Sequence, residues 1–151
     1  MANNDIENIY NFLKISDSIT TAGQPTTEQF TLIKLSNYQV VINLALFDSP
    51  NALPNEESIV KSLGMEYIHI PVIWENPTIE DMTRFFSVIK NFSNKQIFIH
   101  CAANKRVSAF IYLYRIIHQG LNKEEAQKDL HRIWIPNERW QNFIQQVIDY
   151  F

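Results

Sequence analysis

Apolar positions recur at two periods along the chain, and the switch between them lays out the elements. Val40–Leu44, Tyr67–Val72 and Gln96–His100 are short, nearly continuous β-type runs, as expected of strands buried on both faces. Elsewhere the spacing is three and four. Ile79, Met82, Phe85, Phe86, Ile89 and Phe92 form one helical stripe, and Trp140, Phe143, Ile144, Val147, Ile148 and Phe151 form another. Val107–His118 is apolar nearly all round and reads as a helix buried on most sides. Phe12–Thr21 reads as a leading strand or hairpin, broken by Gly23-Gln24-Pro25.

Polar residues mark where the helices begin. Thr26 with Gln29 and Thr78 with Asp81 have capping-box spacing, in which each side chain satisfies the other's free backbone N–H. The first opens a helix running to about Tyr38. Asn55–Leu63 suits a short helix stopped by Gly64, while Asn122 with Glu125, and Asn137, cap two closing amphipathic helices. Strands alternating with helices predict a three-layer α/β fold: a mostly parallel central sheet flanked by helices, in a single domain over 1–151.

Composition narrows the function. With 151 residues, 46% of them hydrophobic, the chain can bury a core without covalent staples. Thirteen Lys and Arg against sixteen Asp and Glu give −3, without the basic excess of a nucleic-acid binder. A single cysteine excludes an internal disulfide and a Cys-rich zinc site, and neither a metal nor another cofactor is expected. Met1–Asn8 lacks a leader pattern, and Val107–Ile117, interrupted by Ser108 and Arg115, is too short to span a bilayer. A cytoplasmic protein with no membrane partner is the expectation.

Chemistry concentrates in His100-Cys101-Ala102-Ala103-Asn104-Lys105-Arg106-Val107-Ser108, where a buried strand hands over to a helix. In open α/β sheets ligands bind beyond the carboxyl ends of the strands. Loop amides at a helix start make a concave positive site for an oxyanion, and the same field favours a thiolate at Cys101. Arg106 adds a planar fork of donors. From position alone Cys101 could equally be a small hydrophobe closing a core strand. The small neighbours, His100 and Arg106 favour the anion-binding thiolate. His100 is read as a partly buried support for the loop, and Lys105 as a solvated residue within reach of substrate charge. Trp74 is placed at the pocket mouth. Trp134 and Trp140 are read as packing between the last helices, Glu80 and Asp81 as first-turn acids, and His69, His118 and His131 as bystanders. The Phe47–Pro54 loop is long enough to form a pocket wall.

These residues carry a resemblance. His-Cys, a short loop, then Arg and Ser resembles the signature loop of cysteine-dependent protein tyrosine and dual-specificity phosphatases. With Thr21-Ala22-Gly23-Gln24-Pro25, Val41-Ile42-Asn43-Leu44 and Tyr67-Ile68-His69-Ile70-Pro71-Val72, the chain is similar to small bacterial phosphatase-like proteins related to the N-terminal domain of beta-lactamase-hydrolase-like proteins. The resemblance implies a phosphatase fold, a phosphate-bearing substrate and a phosphocysteine formed on Cys101. It places the phosphate-binding loop at Ala102, Ala103, Asn104, Lys105, Val107 and Ser108, beside Arg106. It also places a leaving-group acid just after Ile70-Pro71-Val72, where Glu75 is the nearest carboxyl; a solvated loop acid is the equal alternative.

One departure stands out. Four residues separate Cys101 from Arg106, where the phosphatase signature has five. Aligned without a gap, Val107 takes the Arg position, Asn104 takes that of a Gly and Ser108 keeps its own. With a one-residue deletion Arg106 is kept and the following Ser is lost. The shorter spacing also resembles rhodanese-type sulfurtransferase loops, with a persulfide on Cys101. A phosphatase-fold module that binds anions without turnover is the third reading.

Overall fold

Two periods of burial build the molecule around one sheet. The computed structural model describes residues 5–151; residues 1–4, part of the Met1–Asn8 stretch read above, lie outside the described residues. In chain order the elements are β1 (Leu13–Lys14), β2 (Ile19–Ala22), α1 (Thr27–Leu35), β3 (Val40–Asn43), α2 (Glu56–Ser62), β4 (Glu66–His69), α3 (Ile79–Asn91), β5 (Ile97–His100), α4 (Lys105–Ile117), α5 (Lys123–Ile133) and α6 (Glu138–Tyr150). The sheet order is β1-β2-β5-β3-β4; only the β1–β2 pairing is antiparallel.

The last strand in the chain is thus the middle one in the sheet. Ala22 and Asn43 both stand level with His100, so the backbone leaves the sheet at Cys101 with Gly23 and Leu44 on either side. Alternation sends successive side chains to opposite faces. Val40, Ile42, Ile97 and Ile99 pack with residues of α3, α4 and α6, including Phe85, Phe110 and Trp140. Val41 and Phe98 face the other way onto Phe30 and Ile33 of α1 and Val60 of α2. Each large side chain buried this way contributes about 1.5–3 kcal/mol of transfer free energy.

The capping signals form as the sequence implies. Thr26 and Gln29 close a reciprocal box, as do Thr78 and Asp81, and Asn122 and Asn137 each accept from first-turn amides. Three boundaries differ from the sequence reading by two residues or more. The first helix stops at Leu35 because Asn37 turns left-handed at φ 73°, and Tyr38 then points inward to pair its hydroxyl with Thr20 at 2.5 Å. The fourth strand ends at His69, although Ile70 and Val72 still donate to Asn43 and Leu44; Pro71 between them has no N–H to extend the ladder. The fourth helix begins at Lys105, two residues before Val107, because Asn104 makes the turn at φ 64°.

Candidate active site

Backbone crossings hold the loop after β5 in shape. Gly23 forms an isolated antiparallel bridge with Ala103, and the Gln24 amide donates to the Ala102 carbonyl at 3.1 Å. A Cβ on Gly23 would lie 2.6 Å from the Tyr10 ring and 2.8 Å from the Ala102 oxygen, so only glycine permits this approach. Asn104 is fully buried. Its side-chain amide donates to the Asn11 carbonyl at 2.9 Å and the Thr21 hydroxyl at 3.0 Å, while Asn11 donates back to the Ala103 carbonyl at 3.0 Å.

Arg106 sits in the first turn of α4 and is 5% exposed. One terminal nitrogen donates to the Val72 carbonyl at 3.0 Å, and the buried Nε–H has no protein acceptor. Val107 is fully buried in the core, so the guanidinium at 106 is the one presented beside the loop. Ser108 donates to the Lys105 carbonyl at 3.0 Å and accepts from the Trp134 indole at 3.1 Å. Lys105 lies over the Trp134 ring, its ammonium 5.7 Å from the centroid.

Behind the loop, His100 is fully buried, not partly so as the sequence reading has it, because it ends the central strand, and both ring nitrogens are engaged. Nε2 meets Glu56 at 2.6 Å, and Nδ1 meets the Cys101 carbonyl at 3.2 Å. Gln24 donates to the other Glu56 oxygen at 2.9 Å. Burial pushes the Glu56 carboxyl up, but adjacent His100 and hydrogen bonds from His100, Gln24 and Tyr67 outweigh it and hold the group below the ordinary carboxylate range. The same burial, with Glu56 nearby, pushes the Tyr67 phenol well up.

In front of the loop lies an open cavity of about 490 Å³ lined by Cys101, Ala102, Ala103, Lys105, Arg106, Trp74, Glu75, Leu46, Asp48, Ser49 and Pro50. Cys101 is 1% exposed and packs with the core residues behind it, while lining the floor of this opening. The structure therefore brings Cys101, Arg106, Lys105, Trp74 and Glu75 to one cavity. It leaves His100, Asn104, Val107 and Ser108 behind or beneath it. Trp74 packs on Trp134 and Trp140 at ring distances of 5.2 and 5.6 Å, and the Trp140 indole holds the Trp74 carbonyl at 3.0 Å.

Four residues at or behind the cavity carry no assigned role in the sequence. Asp48 lies in the expected pocket-wall loop but carries no motif. Glu56, Gln24 and Asn11 act across the fold at long sequence separations, which no local pattern signals. Among the described residues no group of three or more His, Cys, Asp and Glu could hold a metal, and no helix is long and apolar enough to cross a membrane.

A parallel-rich sheet ending in a Cys loop that enters a helix is the architecture of the protein tyrosine and dual-specificity phosphatases. Residues 10–145 match the family described as DSP-PTPase phosphatase fused to NAD+ kinase, and the chain belongs to that family. A DUF442 protein of Shewanella putrefaciens CN-32 is 32% identical with a TM-score of 0.87, over 100% of this chain and 99% of that one. The catalytic core of the PP-IP phosphatase SIW14 from S. cerevisiae, at 22% identity, is similar in fold with a TM-score of 0.73, over 91% of this chain and 85% of that one. The beta-lactamase hydrolase-like protein of Xylella fastidiosa (strain Temecula1) is 25% identical over 116 residues, 75% of this chain; the chain spans 27% of that protein's length.

Proposed function

We propose that the protein is a cysteine-dependent phosphatase acting on phosphate monoesters, with Cys101 as nucleophile. The observation that carries the reading is Arg106: a buried guanidinium beside Cys101, anchored by one nitrogen to Val72 and with an Nε–H lacking an acceptor. A buried N–H without a partner costs about 1–3 kcal/mol, which an oxyanion seated in the cavity would relieve. Amides of Ala102, Ala103 and Lys105 at the start of α4 add to the positive field.

In this mechanism the Cys101 sulfur attacks phosphorus and the ester oxygen leaves with a proton from a cavity carboxylic acid. Water then attacks the phosphocysteine, releasing phosphate and the thiolate. Arg106 and the loop amides hold the equatorial oxygens through both steps. Glu75 is the assigned acid.

The test is a rapid-mix measurement with p-nitrophenyl phosphate. A burst of p-nitrophenol that vanishes in Cys101→Ser, while that variant still binds phosphate, supports the reading. Thiocyanate production from thiosulfate and cyanide without a phosphate burst would instead assign the short loop to sulfur transfer. Phosphate binding with neither activity would make it an anion-binding module.

A further inference from the structure

The turn that carries Glu75 stands between two hollows. On one side lies the cavity of Cys101 and Arg106. On the other is an open cleft of about 400 Å³, where Glu75, Asn76 and Pro77 face Arg139, Asn142 and Phe143 of α6. Glu75 borders both hollows and is exposed, so close packing does not hold it in place. Hydrogen bonds do so instead. The Asn76 amide donates to the Ile73 carbonyl at 3.0 Å and closes the turn itself. Two side chains then tie the turn to the body of the protein. Arg106 donates to the Val72 carbonyl, and the indole Nε1–H of Trp140 donates to the Trp74 carbonyl, each at 3.0 Å.

Trp140 has the makings of a fixed point. It is fully buried, with the rings of Phe143, Trp134 and Phe110 centred 5.6, 6.0 and 6.2 Å away. Its backbone amide is held by the Asn137 cap at 2.9 Å. A buried indole needs an acceptor for its single N–H. Here that acceptor lies 66 positions away in the chain, on the residue just before Glu75. Phenylalanine would fill most of the same space, but only tryptophan supplies the donor.

We infer that Trp140 is a positioning residue for the proposed acid: its indole N–H fixes the Trp74 carbonyl and so presets the Glu75 turn before any substrate arrives. Trp140 does not line the Cys101 cavity; it acts through the backbone at 74. The inference rests on the phosphatase reading, with Glu75 as its acid, for its purpose, though not for its geometry. A shift of about 1 Å in a reacting group is enough to cost about 10²-fold in rate.

The test separates the hydrogen bond from the packing. Trp140→Phe should lower kcat/KM for phenyl phosphate, an ester with a poor leaving group, by about 10–10²-fold. Hydrolysis of p-nitrophenyl phosphate, which needs little help from an acid, should stay nearly unchanged. In a Glu75→Gln background the same substitution should have no further effect, because an acid that is absent cannot be misplaced. Equal losses on both esters, or the full loss repeated in the Glu75→Gln background, mark general damage to the fold and overturn the inference. A loss that disappears only in an Asp48→Asn background overturns it too, because the tether would then serve the other carboxyl.

A second readout needs no turnover. Amide hydrogen exchange at Asn76 reports whether the turn is closed. The wild-type amide should be protected, and in Trp140→Phe it should exchange about tenfold faster, while the Phe98 amide in the central strand stays unchanged. A wild-type Asn76 amide that exchanges as fast as in an unstructured peptide overturns the inference without any variant, and so does equal protection in the two proteins. Should the wild type hydrolyse neither ester, the phosphatase reading falls, and the exchange rates still decide whether Trp140 presets the turn.

Discussion

The Arg106 guanidinium donates to the Val72 carbonyl at 3.0 Å, tying the first turn of α4 to the segment that leads from β4 to Trp74 and Glu75. One side chain thereby sets the distance between the start of α4 and the loop carrying the proposed acid. Lysine cannot reproduce this, because an ammonium bound to Val72 has no rigid second donor to offer an oxyanion. Arg106→Lys should lower kcat/KM for an aryl phosphate by about 10²–10³-fold, the scale of losing one oxyanion donor. Val107→Arg should not restore it, because position 107 is fully buried in the core. Steady-state kinetics on the single and double variants check this.

Two carboxylates, Glu75 and Asp48, line the same cavity from different loops. If Glu75 protonates the leaving oxygen, Glu75→Gln should slow esters of poor leaving groups by about 10²–10⁴-fold. Esters of good leaving groups should be barely affected, and Asp48→Asn should change neither. A leaving-group series measured on both variants decides; the reverse pattern transfers the role to Asp48.

Folding stability should carry the mark of Glu56 at acid pH. Its folded-state pKa lies below the usual 4.5, so its contribution is fully present above that value and is lost as pH falls through the folded pKa. The stability gap between wild type and Glu56→Gln should be widest above pH 4.5 and close below it. Urea unfolding at a series of pH values measures the gap. A gap that widens as acid is added contradicts the assignment of charge.

The loop's conformation should prove costly to alter. Asn104→Ala removes two buried hydrogen bonds and forces a Cβ residue other than Asn or Gly into the left-handed region; the loss should be about 2–4 kcal/mol. Asn104→Gly, free of the backbone penalty, should lose less. Gly23→Ala should also destabilise the protein, because the added methyl meets the Ala102 backbone oxygen, which cannot swing aside. Thermal unfolding of the three variants ranks these effects.

Much of this architecture was legible from local pattern. Capping pairs at Thr26 and Thr78 act within a single helical turn, so their signal survives in sequence, and the all-apolar runs of β3 and β5 announce burial on both faces. The Cys101 loop was legible because the cysteine, the small residues and Arg106 are contiguous. Glu56 was not. It is one acid in the run Asn55-Glu56-Glu57, and only the folded chain shows that Glu56 is 4% exposed while Glu57 pairs with Lys61 in solvent. The Tyr38 boundary failed for a similar reason: the helical pattern continued, but the left-handed turn at Asn37 ended the helix and sent Tyr38 to Thr20.

Asn11 and Asn104 stand 93 positions apart, yet each is bonded to backbone at the other's end of the molecule. The segment 9–12 ahead of β1 therefore acts as an abutment for the Cys101 loop. Proteolytic trimming past residue 11 should slacken that loop and also strip Ile9 from the apolar layer that holds Phe30 and Phe98.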